Sequence, residues 1–211
     1  MMGDVRSFYG RWARLYDWLA TLPGVRSWRR AAASDLDLAA GQTVVEMGCG
    51  TGANLPHLRS AVGSEGRVLG LDVTRAMLDR ARGRGDADLL RGDATRPPLQ
   101  SGVDGLLGTF VVGMFADPRS VVDEWCTLVG PGHRVALLHF TRSRRAWARP
   151  IDACYRAFVW ASSTDKRQRD VADSHDRRVE EAYRRLAERT ADYRERRLAG
   201  GYLRLASGRV E

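Results

Sequence analysis

Three glycines at alternate positions follow an acid in Glu46-Met47-Gly48-Cys49-Gly50-Thr51-Gly52. Glycine has no Cβ, so such a run turns tightly and lets backbone N–H groups approach a ligand, the more so where a helix begins just behind it. A cradle of this kind receives a carboxylate or a phosphate. Twenty residues past Gly52, Asp72 closes a second apolar run, where an acid can accept from both hydroxyls of a ribose. The pair predicts a ligand that carries a nucleoside. The loop has no Gly-Lys-Ser/Thr ending for a nucleoside triphosphate, and Ala53 follows the third glycine, so the dinucleotide pattern Gly-x-Gly-x-x-Gly is also unmet.

Elements must hold these residues in place. Thr43 to Met47 is a short β-branched run that stops at Gly48 and predicts a first strand. Leu55, Leu58, Ala61 and Val62 recur at helical spacing, and Val68 to Asp72 reads as a second strand, with Thr74 as the cap of a helix carrying Met77, Leu78 and Ala81. Further strands are expected at Ala87 to Arg91, Asp104 to Phe110 and His133 to Phe140, the last preceded by a helix that Gly130-Pro131-Gly132 closes. Five alternations of strand and helix predict an α/β fold with a parallel sheet covered on both faces. Upstream, Phe8, Trp12, Leu15 and Leu19 make an amphipathic stripe ending near Pro23-Gly24, and a second helix covers Val25 to Leu36. Downstream come a basic segment from Arg142, an apolar patch from Ile151 to Trp160 and a polar loop from Ser162 to His175. A helix with Val179, Ala182, Tyr183 and Leu186 follows, then Tyr193 to Leu198 and Tyr202 to Ser207 around Gly200-Gly201, which reads as a hairpin.

The 211 residues are read as one domain: N-terminal helices over 1–40, a ligand-binding core over 41–140, a candidate lid over 141–178, and a helix with a terminal hairpin over 179–211. With 44% hydrophobic and 28% charged residues the chain is neither disordered nor fibrous. No apolar run is long enough to span a bilayer, and the N-terminus shows no signal core, so a cytoplasmic location is expected. Cys49, Cys126 and Cys154 lack metal-site spacing, and no metal is expected. The net charge of +8 rests almost wholly on arginine, Lys166 being the single lysine. It marks either a compositional habit or a surface drawn to anionic headgroups, nucleic acid or an acidic substrate.

Acid, one residue, then Gly-x-Gly-x-Gly is the first motif of the class I S-adenosylmethionine-dependent methyltransferases, which the chain resembles at Glu46, Gly48, Gly50 and Gly52. The resemblance runs through about the first 140 residues and implies a three-layer, doubly wound, Rossmann-like fold. Its sheet would be mostly parallel and seven-stranded, with a C-terminal antiparallel hairpin. It also implies S-adenosylmethionine as cofactor and S-adenosylhomocysteine as product. Asp72 would hold the ribose, and Met77 would pack near the adenine. Asp93 would accept from the adenine amine and Ala94 give a backbone contact, while Phe110 and Val111 would line the methyl donor. Cys49, Asn54 and Val73, beside these motif residues, complete the expected cofactor contacts. Phe8-Tyr9, Tyr16-Asp17 and Gly24-Val25-Arg26-Ser27-Trp28-Arg29 resemble the N-terminus of the methyltransferases of menaquinone and ubiquinone synthesis, which puts Tyr16 on the donor's carboxylate. Leu198-Ala199-Gly200-Gly201-Tyr202-Leu203-Arg204-Leu205 is similar to that group's last hairpin. Val112-Gly113-Met114 departs from its polar segment after strand four.

Methyl transfer needs positioning more than a nucleophile. A phenol, enol or amine acceptor can call for a base, and His139, at the end of the fifth strand, and Tyr9 are the candidates, ahead of His57, His133 and His175. The expected partner is a small lipophilic molecule such as a quinol or phospholipid, met at an anionic membrane surface. Two other readings stay open: an RNA methyltransferase using the basic surface, although no flipped-base motif is present, and a non-catalytic S-adenosylmethionine-binding protein.

Overall fold

The computed structural model describes residues 23–141 and 171–211. The helix expected at Phe8 to Leu19, with Tyr9 and Tyr16, and residues 142–170 of the candidate lid lie outside them.

Helix α1 spans Pro23–Ser34, two residues earlier at each end than its periodicity predicts. Proline suits a first helical turn because its missing N–H is one that no helix start can pair. Strand β1 (Thr43–Met47) has the predicted bounds. Helix α2 (Leu55–Val62), strand β2 (Arg67–Asp72), helix α3 (Arg75–Ala81) and strand β3 (Asp88–Arg91) follow. Thr74 takes the N-cap position of α3 but makes no side-chain capping bond; Asp72 Oδ1 accepts from its backbone N–H at 2.8 Å instead. Strand β4 (Gly105–Thr109) runs into a 3-10 turn at Val112–Met114, then helix α4 (Pro118–Val129) and strand β5 (Arg134–Phe140). Asp117 caps α4 by accepting from the Ser120 N–H at 3.0 Å.

The tail corrects two expectations. Helix α5 spans Val171–Arg189, so the end of the expected polar loop is helical and His175 sits on that helix. Strands β6 (Thr190–Leu198) and β7 (Leu203–Val210) are longer than predicted, because Thr190 pairs with Val210 across a bulge between Ala191 and Arg194. At this bulge Asp192 has φ of 52°.

The seven strands lie in the order β3-β2-β1-β4-β5-β7-β6, with β7 antiparallel to both neighbours and the rest parallel. Chain direction across the sheet reverses between β1 and β4, and the crevice at their carboxyl ends is where such sheets bind ligands. Two apolar cores result. One joins α1, α2 and α3 to a sheet face through Leu36, Leu55, Leu58, Leu78 and Leu138; the other joins α4 and α5 to the opposite face through Trp125, Leu137, Tyr183 and Leu186. Among the described residues no helix is long and apolar enough to cross a membrane.

Candidate functional site

The crevice is floored by the glycine loop. Gly48, Gly50 and Gly52 have φ of 68°, 55° and 78°, a region that costs a side chain strain. At Gly48 a Cβ would lie 2.9 Å from Val111 Cγ2, so this glycine lets the β1 loop close against the segment after β4. At Gly52 it would lie 2.9 Å from Leu55 Cδ1 and 3.0 Å from the Ala81 Cβ, which lets α2 and α3 meet behind the loop. Cys49 is buried, and burial, reinforced by Glu46 and Asp72, pushes its thiol far above the usual range, so it packs as an apolar group.

Asp72 stands at the end of β2. Its Oδ2 accepts from the Gly50 N–H at 2.9 Å while Oδ1 takes Thr74, which couples the loop to the second strand. Burial raises its pKa and the two backbone donors oppose the rise. Val73 follows, half-buried, and Met77 on α3 is 4% exposed. At the end of β3, Asp93 Oδ1 accepts both the backbone N–H and the hydroxyl of Thr95, at 2.9 and 2.8 Å; neither bond uses its other oxygen. Ala94 is buried, and its carbonyl accepts from the Trp125 indole at 2.8 Å. The structure thus brings Gly48 to Gly52, Asp72, Asp93, Phe110 and Val111 to the carboxyl ends of adjacent strands.

Phe110 has φ of 59°, a strained conformation for a bulky residue that often marks a site. Its ring stacks on Phe140 at 4.6 Å, lies beneath the Arg29 guanidinium at 5.7 Å and meets His139 edge-on at 6.1 Å. The exposed large hydrophobics among the described residues are Met114, in the 3-10 turn after β4, and Phe140, the last residue of β5.

Glu46 and Asn54 lie beneath the loop rather than on its open side, 0% and 1% exposed. Asn54 Nδ2 donates to Glu46 Oε1 and, at 3.0 Å, to the Thr109 hydroxyl, which donates to Glu46 Oε1 at 3.2 Å. Arg29 Nη1 donates to Asn54 Oδ1 at 3.0 Å. In the sequence Arg29 stands out only as part of the Gly24 to Arg29 stretch, with no role given to it, and Thr109 not at all. A signal existed for Arg29, which shares a helix face with Ala32, Ala33 and Leu36 and so puts a cation on an apolar stripe.

His139 is 3% exposed; its Nδ1 lies 3.0 Å from the Phe140 carbonyl, and Nε2 is buried with no hydrogen-bond partner among the described residues. Burial, with His175 adding to it, lowers its pKa to about 3. The His175 ring stands 5.0 Å away and packs on Gly113, where a Cβ would come within 2.3 Å of its Nε2. His57 lies on α2 and His133 precedes β5, 3.6 Å from Asp104. No set of three metal-ligating side chains occurs among the described residues.

Residues 44–132 match the family pattern of a methyltransferase domain. A 2-phytyl-1,4-naphtoquinone methyltransferase of Thermosynechococcus vestitus is 32% identical over 148 residues, 66% of this chain and 66% of that protein. A demethylmenaquinone methyltransferase of Oceanobacillus iheyensis is 29% identical over 120 residues, 54% of this chain and 50% of that one. The chain spans 36% to 66% of the length of the first curated relatives it matches. In fold it is similar to a SAM-dependent methyltransferase from Aquifex aeolicus, with a TM-score of 0.60 at 20% identity over 87% of this chain and 89% of the other.

Proposed function

From the premise that the chain belongs to the S-adenosylmethionine-dependent methyltransferases, we propose that it methylates a small, lipophilic acceptor of the quinol or phospholipid kind. The observation that carries the reading is the set of loop and acids at successive strand ends. S-adenosylmethionine offers a ribose diol and an exocyclic amine as donors, and Asp72 and Asp93 stand as acceptors at the ends of β2 and β3. Bound in the crevice, the donor supplies an electrophilic methyl on a sulfonium. Gly48, Gly50 and Gly52 would turn the loop under it, Met77, Val73 and Ala94 would wall the adenine, and Phe110 and Val111 would close the methyl end. Tyr16 is assigned the carboxylate, as the resemblance implies.

The lipophilic acceptor is supported by Met114 and Phe140, exposed apolar side chains at the strand ends where an acceptor must approach. It is also supported by the activities named for the two relatives. An arginine-rich chain of net charge +8 suits a meeting with that acceptor at an anionic membrane surface on the cytoplasmic side. The chain's own contribution to rate is positioning and exclusion of water. Of the base candidates, His139 stays neutral at physiological pH, and its Nε2, which meets no donor among the described residues, can accept a hydrogen bond without storing a proton.

The test is methyl-labelled S-adenosylmethionine incubated with the protein and a total cell extract, followed by solvent partition. Label in the organic phase, lost in Asp72→Ala, is the expected result. The Asp72→Ala change should weaken donor binding about tenfold or more, the scale of a charged hydrogen bond. Label confined to RNA or protein would reject the lipophilic acceptor, and donor binding without any labelled product would reject catalysis.

A further inference from the structure

Four buried polar side chains from four elements meet under the donor loop. Glu46 comes from β1, Asn54 from the N-cap of α2, Thr109 from the end of β4 and Arg29 from α1, none more than 6% exposed. Arginine only donates, so the Asn54 carbonyl must face Arg29, and its amide nitrogen is then turned toward Glu46 and Thr109. One cation from α1 therefore fixes the direction of the chain of bonds. Residues 46 and 54 are also the entrance and exit of the segment that carries all three glycines.

We propose that Arg29 is a positioning residue for the donor loop: through the Asn54 amide it ties both ends of the loop to α1 and thereby sets the affinity for S-adenosylmethionine. The proposal rests on the methyltransferase reading above. Its physical basis is the cost of a buried carboxylate, one oxygen of which, Glu46 Oε2, meets no hydrogen-bond partner among the described residues. Burial raises the Glu46 pKa to about 7; Asn54, Arg29 and Thr109 hold it down and Asp72 pushes it up. The neighbouring Cys49 thiol is un-ionised. A cationic sulfonium favours ionised Glu46, so donor binding should tighten as pH rises through about 7. Without Arg29 the acid keeps its proton to higher pH, and the midpoint moves up.

The experiment is calorimetric titration of the wild type, Arg29→Met and Arg29→Lys with S-adenosylmethionine across about pH 6 to 8.5, a range that brackets the Glu46 titration. Arg29→Met should bind about tenfold more weakly at neutral pH, the scale of one charged hydrogen bond, with its midpoint displaced upward. Arg29→Lys, which keeps a donating cation, should stay near the wild type in both. Unchanged affinity and midpoint in Arg29→Met overturn the proposal, as does an equal loss at every pH that lysine does not rescue, which would mean packing alone. If Arg29→Met loses its cooperative melt, Asn54→Ala cuts the same link and must shift the midpoint the same way; an unmoved midpoint overturns the proposal. A wild type that binds no S-adenosylmethionine rejects the methyltransferase reading itself, a result separable from all of these.

Discussion

Two buried titratable groups near the crevice pull stability in opposite directions with pH. Glu46 has a folded pKa of about 7 against an ordinary 4.5, so its contribution is present below pH 4.5 and is lost as pH rises to 7. His139 has a folded pKa of about 3 against an ordinary 6.5, so its contribution is present above pH 6.5 and is lost as pH falls toward 3. Between 4.5 and 6.5 the two slopes oppose each other, and the wild-type melting temperature should vary little on their account. Glu46→Gln should expose the histidine slope, melting several degrees lower at pH 5 than at pH 6.5, on a scale of about 2–4 °C per kcal/mol. His139→Asn should show the reverse trend. Melting curves that stay parallel to the wild type in both variants would sink the assignment. By the same argument, the His139 titration should leave no inflection in kcat/KM across about pH 5–8, and one that vanishes in His139→Asn would show a proton-carrying histidine.

The loop after β3 leans on helix α4, Ala94 and Trp125 lying in one apolar core. The fully buried Trp125 indole on α4 donates to the Ala94 carbonyl and meets Phe115 edge-on at 5.9 Å. Trp125→Phe removes that hydrogen bond, and its expected cost is about 1–3 kcal/mol by chemical denaturation, with a loss of S-adenosylmethionine affinity alongside. The second contact at this scale is His175 against Gly113; Gly113→Ala puts a methyl into the imidazole and should destabilise by about 1–3 kcal/mol, whereas unchanged stability would mean that α5 shifts freely. The central strands could be read from the sequence because their signals are local: Thr43 to Met47 is β-branched and stops at a glycine, and β1 has those bounds. The first turns of α5 could not, since Asp173 to Arg178 carry no apolar stripe and the helix there is held by tertiary contact, His175 against Gly113. The ligand loop was legible through its glycines and Asp72. The layer beneath it was legible only in Asn54, eight residues from Glu46, because Arg29 reaches Asn54 from 25 residues away and Thr109 reaches Glu46 from 63.

Across the whole molecule, the face carrying α4 and α5 is fastened by charge as well as by its core. Asp123 on α4 accepts from Arg185 and Arg189 on α5, and Arg119 pairs with Glu188 at 2.7 Å. These pairs are partly exposed, so added salt should weaken them only modestly. The order of the sheet has a different kind of consequence. Strand β7 follows both β5 and β6 in the chain yet lies between them, pairing over Arg134 to Phe140 on one side and Thr190 to Leu198 on the other. A ribosome releases the protein in chain order, so the other six strands described have emerged while the far edge of β5 still lacks its neighbour. For that interval the nascent protein presents a long apolar edge, Val135 to Leu138, able to pair with a strand of another molecule. Placing β7 between two strands made before it is therefore a late insertion, and the interval between synthesis of β6 and arrival of β7 is when the β5 edge is most open to pairing with another molecule.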